Sequence, residues 1–447
     1  MKRLLWIIGT LLLCALPVFA QDGSLNSGDT AWILTSSALV LLMTVPGLAL
    51  FYGGMVRKKN ILSTFYHSFA AAVIVSALWV ACQYALSFGK DAGGLIGWSP
   101  DKFFFGNIWN DSFSGVAPTI PESVFSVFQM MFAIITVALI SGALVERLNF
   151  SAWLIFVVLW SLLVYAPLAH WVWGGGWLSN IGSLFGWTYN GKPLGTLDFA
   201  GGLVVHISSG VSALVAVLYI GKRQGFEKEP VLPNSVPLTF IGAGLLWFGW
   251  FGFNAGSALG SNGLAGSAFL ATNTAAVFAA ISWVTVEWIL VKKPSIIGGL
   301  SGLVAGLATI TPASGFVDVR AAAIIGVLAG LISYFFVTRV KKFFAYDDSL
   351  DVFNIHGVGG TLGILCAGLL ANPKIGGAAG LFYGNPGQFV VQLIAAISGY
   401  LFAGLGTLLI LVFIDKILRV PVRTRSQAEI AGLDMALHGE NDTNDER

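Results

Sequence analysis

Eleven stretches of this 447-residue chain are apolar over about the length that an α-helix needs to cross a membrane. They are residues 31–54, 61–88, 122–145, 150–168, 199–221, 236–258, 264–291, 295–313, 318–337, 350–371 and 388–414. A transmembrane strand needs only about 9–11 residues, so the length of these segments predicts helices. Only 10% of the residues are charged, against ~25% in a soluble domain. The sequence therefore predicts an all-α polytopic membrane protein.

The connections between the predicted helices indicate the orientation of the chain. Basic residues lie in alternate connections, for example in Arg57-Lys58-Lys59, Lys222-Arg223 and Lys292-Lys293. The positive-inside rule then predicts an external N terminus and a cytoplasmic C terminus. Lys plus Arg (24) nearly balances Asp plus Glu (22), and no basic stretch alternates with aromatic residues. We therefore expect no nucleic-acid partner.

The first twenty residues have the pattern of a secretory signal peptide. Lys2 and Arg3 precede an apolar run, and Val18-Phe19-Ala20 ends in a small residue. An uncleaved anchor is the alternative. The predicted organisation is a signal peptide at 1–20, a membrane domain at 21–419 and a cytoplasmic tail at 420–447. Cleavage removes Cys14 and leaves two cysteines inside predicted helices, so we expect neither a disulfide framework nor a metal site.

The number of segments fits an inverted repeat of five plus five helices with one helix added. In this arrangement the fifth segment carries Asp198 and His206, and the tenth carries Asp351 and His356. Inverted repeats place their substrate site near the midplane, between the halves. The spacings of acid and histidine differ, eight residues against five, so the correspondence is only suggestive. Asp198 is explained equally well as the N-terminal cap of its own helix.

Histidines inside membrane segments are candidates for function because ionisable groups at that depth are costly. His206 and His356 meet this description. The alternatives are a buried structural pair or two haem ligands, although no second histidine pair is present. His67, His170 and His438 are predicted to lie at the membrane interface or in solvent.

Aromatic residues close to a lone hydroxyl form the second candidate group. The motifs FQMMF, HWVWGGG and GWFGFNAGS contribute Phe128, Phe132, Trp173, Trp250, Phe253 and Ser257. Most aromatic residues of such a chain belong to the core or to the interfacial belt. Rings beside an oxygen acceptor can nevertheless hold a small, partly dehydrated cation, at ~0.5–2 kcal/mol per ring.

At this point the chain resembles the ammonium transporters of the Amt/MEP/Rh family, in particular the bacterial Amt branch. The matching stretches are PGLALFYGGMVRKKN, DFAGGLVVHISSG, GWFGFNAGS, KPSIIGGLSG, ITPASGFV, DDSLDVFNIHGVGG and GLDMALHGE. They extend from the first segment to the tail. The loop at 177–197 is longer than in the shortest bacterial members and leaves the motifs in place.

The resemblance implies a role for particular residues. Phe128, Phe132, Trp173 and Ser257 would form an outer ammonium site, with Phe132 and Phe253 as the rings that close the pore below it. His206 and His356 would line the pore, and Asp198 would support the outer site. Relatives of this kind are homotrimers in the inner membrane and bind a PII-type nitrogen-signalling protein at the cytoplasmic face. No cofactor is implied.

The expected activity is recruitment of ammonium, its deprotonation, and conduction of ammonia with a separate proton relay. An ammonium sensor and a channel for an uncharged gas or urea are the alternatives. Ser257 beside Trp173 argues against a neutral substrate. An enzyme is least expected, because the sequence has no nucleophile–base set and no cluster of metal ligands.

Overall fold

The computed structural model describes residues 25–108, 113–226, 228 and 232–441. Apolar helices dominate this part of the chain. They are α1 (Ser27–Met55), α2 (Lys58–Phe88), α3 (Glu122–Leu144), α4 (Phe150–Val172), α5 (Gly202–Ile220), α6 (Val236–Gly256), α7 (Gly263–Val291), α8 (Ile296–Ile310), α9 (Val319–Phe344), α10 (Phe353–Leu370) and α11 (Pro386–Ile417). Each coincides with one of the eleven predicted segments, so the all-helical prediction is confirmed.

Ten of these helices, counted over the described residues, are long and apolar enough to cross a membrane. The exception is α8, which has 15 residues and is therefore about 22 Å long. It begins at Ser295, whose hydroxyl accepts a hydrogen bond from the backbone N–H of Gly298. A Cβ at Gly302 would lie 2.6 Å from the Cβ of Trp283, so the small residue allows α8 to pack closely against α7.

Helices α5 and α10 cross at a pair of glycines. A Cβ at Gly210 would lie 2.2 Å from the backbone N of Gly357, and one at Gly360 would lie 2.8 Å from the Cβ of His206. Each of the two helices starts with a π-helical turn, Gly202–Ile207 in α5 and Phe353–Gly357 in α10. The small residues allow the two backbones to approach closely, and each π-helical turn carries one histidine into the crossing.

Short elements occupy the connections. Three two-stranded antiparallel hairpins pair Asp91–Ala92 with Ile96–Gly97, Phe113–Ser114 with Ala117–Pro121, and Thr188–Tyr189 with Lys192–Pro193. Short helical turns cover Pro100–Phe105, Gly182–Phe185, Pro373–Gly376 and Leu381–Tyr383. The hairpins lie in the two long connections that the sequence predicted to be without a membrane span.

The tail folds back onto the start of α2. Its two short helices are Ser426–Ala431 and Asp434–His438. The carboxylate of Asp434 accepts hydrogen bonds from the backbone N–H groups of Leu62 (3.2 Å) and Ser63 (2.8 Å). The predicted signal peptide at 1–20 and the last six residues of the predicted tail lie outside the described residues.

Candidate functional site

A cavity of about 290 Å³ lies between the first turns of α3, the ends of α4 and α6, and the segment that leads into α5. We call it the Ser257 cavity. Its lining includes the side chains of Phe125, Gln129, Phe132, Trp173, Asp198 and Ser257. Four of the six residues predicted for the outer site, gate and supporting acid thus line one cavity. Phe128 is fully buried and packs edge-on against Phe132, with ring centroids 4.9 Å apart. Phe125 lines the cavity instead of Phe128.

Two stacked rings close the Ser257 cavity on one side. The rings of Phe132 and Phe253 are 4.2 Å apart between centroids and inclined by 26°. Trp173 stands edge-on to Phe132 at 5.9 Å. Phe132 is 1% exposed and Phe253 is 0% exposed, so no water-filled passage separates them. The stack predicted from the resemblance is therefore present as a geometric feature.

Asp198 lies beside this cavity with both carboxylate oxygens occupied. They accept hydrogen bonds from four successive backbone N–H groups, those of Gly201, Gly202, Leu203 and Val204. Gly201 has φ +115°, a conformation that L side chains rarely adopt, and this allows the backbone to wrap around the carboxylate. The carboxylate thus caps α5, as its alternative reading predicted. It has no free oxygen pointing at a ligand.

The remaining polar groups of the cavity are arranged by their neighbours. The indole Nε1 of Trp173 donates to the backbone carbonyl of Asp198 at 2.8 Å, and this fixes the ring. The hydroxyl of Ser257 donates to the carbonyl of Phe253 at 2.9 Å. Because the proton of that hydroxyl is committed, the lone pairs of its oxygen remain available as an acceptor.

A second cavity begins on the other side of the stacked rings, and we call it the histidine cavity. It measures about 10 Å³, which is room for about one molecule the size of water. Phe253, Trp250, His206 and His356 line it together with aliphatic side chains. The ring of His206 is stacked 5.6 Å from that of Trp250, whose Nε1 donates to the hydroxyl of Thr311. The two predicted pore histidines therefore meet in one narrow, mostly apolar space.

The two imidazoles share a hydrogen bond. Their Nδ1 atoms are 3.2 Å apart and the ring centroids 5.1 Å. Only one Nδ1 can carry the proton of that bond, so one ring presents a bare Nε2 and the other an Nε2–H. The Nε2 of His206 is buried without a partner in the described part of the chain. The neutral pair therefore offers one acceptor and one donor to a small molecule in the cavity.

The acid that corresponds to Asp198 is Asp348, and the prediction of Asp351 was wrong. Asp348 precedes His356 by eight residues, the interval that separates Asp198 from His206. Its carboxylate accepts from the backbone N–H groups of Val352 (3.1 Å) and Phe353 (2.8 Å) and so caps α10. Asp351 instead bonds the Nζ of Lys341 at 2.8 Å. The matching spacing strengthens the relation between the two halves.

A third cavity of about 470 Å³ lies beyond the histidines, and we call it the Lys341 cavity. Phe51 lines both this cavity and the histidine cavity. Lys341, Glu287, Arg223 and Trp283 are among its other lining residues. The three cavities thus follow one another. The stacked rings of Phe132 and Phe253 separate the Ser257 cavity from the histidine cavity, and Phe51 lies between the histidine cavity and the Lys341 cavity.

A buried ion network stabilises the connections next to the Lys341 cavity. The guanidinium of Arg223 bonds Asp347 (Nη2–Oδ1 2.8 Å) and Glu146 (Nη1–Oε2 3.0 Å). Burial by itself raises the pKa of Asp347, but Arg223 and Arg147 outweigh it and hold that pKa below its usual value. Burial lowers the pKa of Arg147 to about 10. These charges are paired, which fits a structural role.

The other three histidines are more buried than predicted. His67 is 1% exposed and lies edge-on to Trp153 at 5.7 Å. His170 is 0% exposed and bonds the carboxylate of Asp91 at 2.8 Å. His438 lies over Phe150 at 4.9 Å. His67 and His170, predicted to lie at the membrane interface or in solvent, are buried within the protein, because loop and tail segments cover the helix ends.

The histidine pair does not have the geometry of two axial haem ligands. Such ligands stand on opposite sides of the iron, so bonds of ~2.0 Å place their nitrogens about 4 Å apart, whereas the two Nδ1 atoms are 3.2 Å apart. Across the described residues, no group of three or more His, Cys, Asp or Glu side chains is placed to hold an ion. The haem alternative is therefore not supported by the geometry.

Sequence reasoning missed three residues. Phe125 and Gln129 line the Ser257 cavity, and Asp348 caps α10, the helix that carries His356. Phe125, Gln129 and Phe132 follow the i, i+4, i+7 spacing of one helix face, which was available as a signal. For Asp348 the signal was the repeated interval of eight residues. Both patterns were visible but not distinguishable from ordinary packing and capping.

Comparison with known proteins identifies the family of the chain. Residues 31–443 match the model of the Ammonium Transporter Family. The chain is 45% identical to the ammonium transporter of Aquifex aeolicus over 424 residues, covering 94% of this chain and 95% of the relative. It is 46% identical to the ammonium transporter Amt1 of Archaeoglobus fulgidus, over 93% of this chain and 99% of the relative.

Solved structures show the same fold. The crystal structure of Candida albicans Mep2 superposes with a TM-score of 0.82 at 33% identity, covering 91% of this chain and 88% of the other. A structure described as a sensor Amt protein superposes with a TM-score of 0.81 at 27% identity, covering 92% and 98%. With a family match over most of its length and relatives above 40% identity, the chain belongs to the ammonium transporter family.

Proposed function

We propose that this protein transports ammonium by taking up the cation in the Ser257 cavity, removing its proton, and passing ammonia through the histidine cavity. The observation that carries the proposal is the order of the three cavities. A space with a hydroxyl acceptor and aromatic rings is followed by a closed ring stack and then by a one-molecule apolar space with a neutral, hydrogen-bonded histidine pair.

Recruitment of a cation follows from the chemistry of the first cavity. The faces of aromatic rings attract a cation at ~0.5–2 kcal/mol per ring, more when water is excluded. Trp173, Phe132 and Phe125 supply rings, and Ser257 supplies an oxygen whose proton is already used. A neutral gas or urea gains little from this set, so it favours ammonium over the neutral substrates.

Loss of the proton follows from the second cavity. Moving an unpaired charge into apolar surroundings is severely unfavourable, and a titratable group responds by becoming neutral. Buried lysines show pKa depressions of up to ~3–5 units for this reason. Potassium has no proton to lose and is excluded, although it resembles ammonium in charge and size.

The histidine pair serves ammonia and the proton in turn. Its bare Nε2 accepts a hydrogen bond and its Nε2–H donates one, so neutral ammonia is bound without any fixed charge. When the bare Nε2 of one ring takes up a proton, the shared proton moves between the Nδ1 atoms and the other ring releases its Nε2 proton; one proton then passes along the pair, and the two roles are reversed. Ammonia and the proton then travel separately, and the net species moved is ammonium.

Charge movement in proteoliposomes after an ammonium jump tests this mechanism, with potassium as the cation control. Wild-type protein is expected to give a transient with ammonium and none with potassium. In His206→Ala the transient is expected to disappear while an ammonia-driven change of internal pH persists. His67→Ala is the matched control, since it removes a buried imidazole that lines none of the three cavities. Unchanged current in His206→Ala would contradict the relay.

The finer topology and assembly belong to the same proposal. We propose eleven spans with α8 as the short one, an external N terminus and a cytoplasmic C terminus, in the inner membrane of the cell. Residues 1–20 act as a signal peptide, 21–419 form the membrane domain and 420–447 the cytoplasmic tail. The chain forms a homotrimer, and a PII-type nitrogen-signalling protein binds at the cytoplasmic face. The basic residues in alternate connections support the orientation of this arrangement.

A sensor is the second candidate function, favoured by the similarity to a protein described as a sensor Amt protein. The two functions differ in the experiment above. A sensor binds ammonium without steady transport, so wild-type protein would show neither sustained charge movement nor a change in internal pH.

A further inference from the structure

Gln129 is a polar side chain of the Ser257 cavity to which neither the sequence analysis nor the proposed mechanism gives a role. It lies on α3, one turn after Phe125 and just under one turn before Phe132, and all three line the cavity. The residue is 9% exposed, and its Oε1 is buried without a hydrogen-bond partner in the described part of the chain. A buried acceptor without a partner is costly, so its retention here points to a ligand.

The other polar side chains of the cavity are already committed. Among the described residues that line it, four carry polar side chains: Gln129, Trp173, Asp198 and Ser257. Both oxygens of Asp198 are saturated by backbone N–H groups, and Trp173 is a donor bonded to a carbonyl. Two side chains thus remain to accept hydrogen bonds from a ligand. They are Ser257 and Gln129, whose amide lines the cavity and whose buried Oε1 reaches it by rotation about the last side-chain torsion.

We propose that the side-chain amide oxygen of Gln129 is a second acceptor for the cation in the Ser257 cavity and contributes to its selectivity for ammonium. This inference rests on the proposed function and adds a binding residue to it. Ammonium donates up to four directed hydrogen bonds, whereas a metal cation donates none. Two directed acceptors on different helices, α3 and the end of α6, therefore favour a tetrahedral donor over potassium.

The amide can also turn by half a revolution about its last torsion and present its NH2 group instead. A cation in the cavity selects the orientation with oxygen inward, because the NH2 group would repel it. With the cavity empty, the oxygen can return to the protein side. The same side chain thus binds the cation without placing a permanent charge next to the ring stack.

The test is the concentration dependence of ammonium transport in proteoliposomes for Gln129→Leu and Gln129→Glu. Gln129→Leu keeps the approximate volume and loses the acceptor, so the apparent KM is expected to rise about tenfold with the maximal rate within about twofold. Gln129→Glu keeps an acceptor and adds charge. Its apparent KM is expected to fall about threefold or more, and potassium is expected to inhibit it more strongly than wild type.

Gln83→Leu is the matched control. Gln83 is a buried glutamine whose Oε1 also has no partner in the described part of the chain, and it does not line the cavity. Its apparent KM is expected to equal that of wild type. An unchanged apparent KM in Gln129→Leu, beside saturable wild-type transport, overturns the inference and leaves the proposed function intact. If Gln129→Leu does not fold, an unchanged KM in Gln129→Glu overturns it equally. Absence of wild-type transport refutes the proposed function itself.

Discussion

Replacing Asp198 by asparagine tests whether the carboxylate acts as the cap of α5. In the native chain each carboxylate oxygen accepts two backbone N–H groups, Oδ1 from Gly201 and Gly202 and Oδ2 from Leu203 and Val204. Asparagine keeps one acceptor oxygen and turns an NH2 group toward the other two donors. Two buried N–H groups then lose their partner.

The expected cost follows from that count. A buried donor without a partner costs ~1–3 kcal/mol, so Asp198→Asn should lower the free energy of unfolding by about 2–6 kcal/mol. Asp348→Asn at the start of α10 is the related change, with one N–H group per oxygen and thus one orphan, or about 1–3 kcal/mol. Burial raises the pKa of Asp348 to about 6, opposed by Lys341.

Thermal unfolding of the purified variants in detergent measures the ranking, and ammonium transport is recorded in parallel. Asp318→Asn is the control, because Asp318 caps α9 through one N–H group and lies away from the three cavities. Asparagine is about as good a cap as aspartate, so this variant should match wild type. If Asp348→Asn were as destabilising as Asp198→Asn, or if Asp198→Asn melted like wild type, the hydrogen-bond count would not explain the role of Asp198.

Two further predictions concern the crossing of α5 and α10 and the ion network. Gly210→Ala places a methyl group 2.2 Å from the backbone of α10, so we expect the free energy of unfolding to fall by about 1–3 kcal/mol and transport to be lost. Gly244→Ala is the control, because its methyl group meets nothing within 4 Å, and it should melt and transport like wild type. An equal melting temperature for both would contradict the crossing. Arg223→Met leaves the carboxylate of Asp347 buried without its main partner, at about 3–5 kcal/mol near neutral pH. Arg223 and Arg147 hold the pKa of Asp347 below its usual value despite burial. The ion pair therefore stabilises the folded state above pH ~4, and this stabilisation is lost as the pH falls below that value. The difference in melting temperature between wild type and Arg223→Met should accordingly narrow in acid. A difference that does not change with pH would contradict the ionic origin.

The histidine pair illustrates how far a sequence can go. Position in two apolar segments was enough to single out His206 and His356, because an ionisable residue inside a membrane segment is rare for a physical reason. The 3.2 Å contact between them was not predictable, since it depends on where α5 and α10 cross. The crossing is in turn set by Gly210 and Gly360, two of 55 glycines that look alike in the sequence.

The acidic residues near His356 show a prediction from sequence spacing that failed. Asp351 was paired with His356 because both lie in the predicted tenth segment, 350–371, whereas Asp348 lies just before it. In the structure its neighbour is Lys341, and Asp348 caps the helix. Local spacing cannot tell which of two nearby carboxylates faces a helix terminus, because the choice depends on the turn that precedes it.

The sequence by itself determined the class of the protein, the position of its membrane helices within a few residues, and the family to which it belongs. These properties depend on composition, segment length and contiguous motifs, which are local. Only the tertiary structure decided which aromatic rings line a cavity, that the carboxylate of Asp198 caps α5, and that Gln129 lines the Ser257 cavity. These facts concern groups that are far apart in the chain, and their distances are set by helix packing.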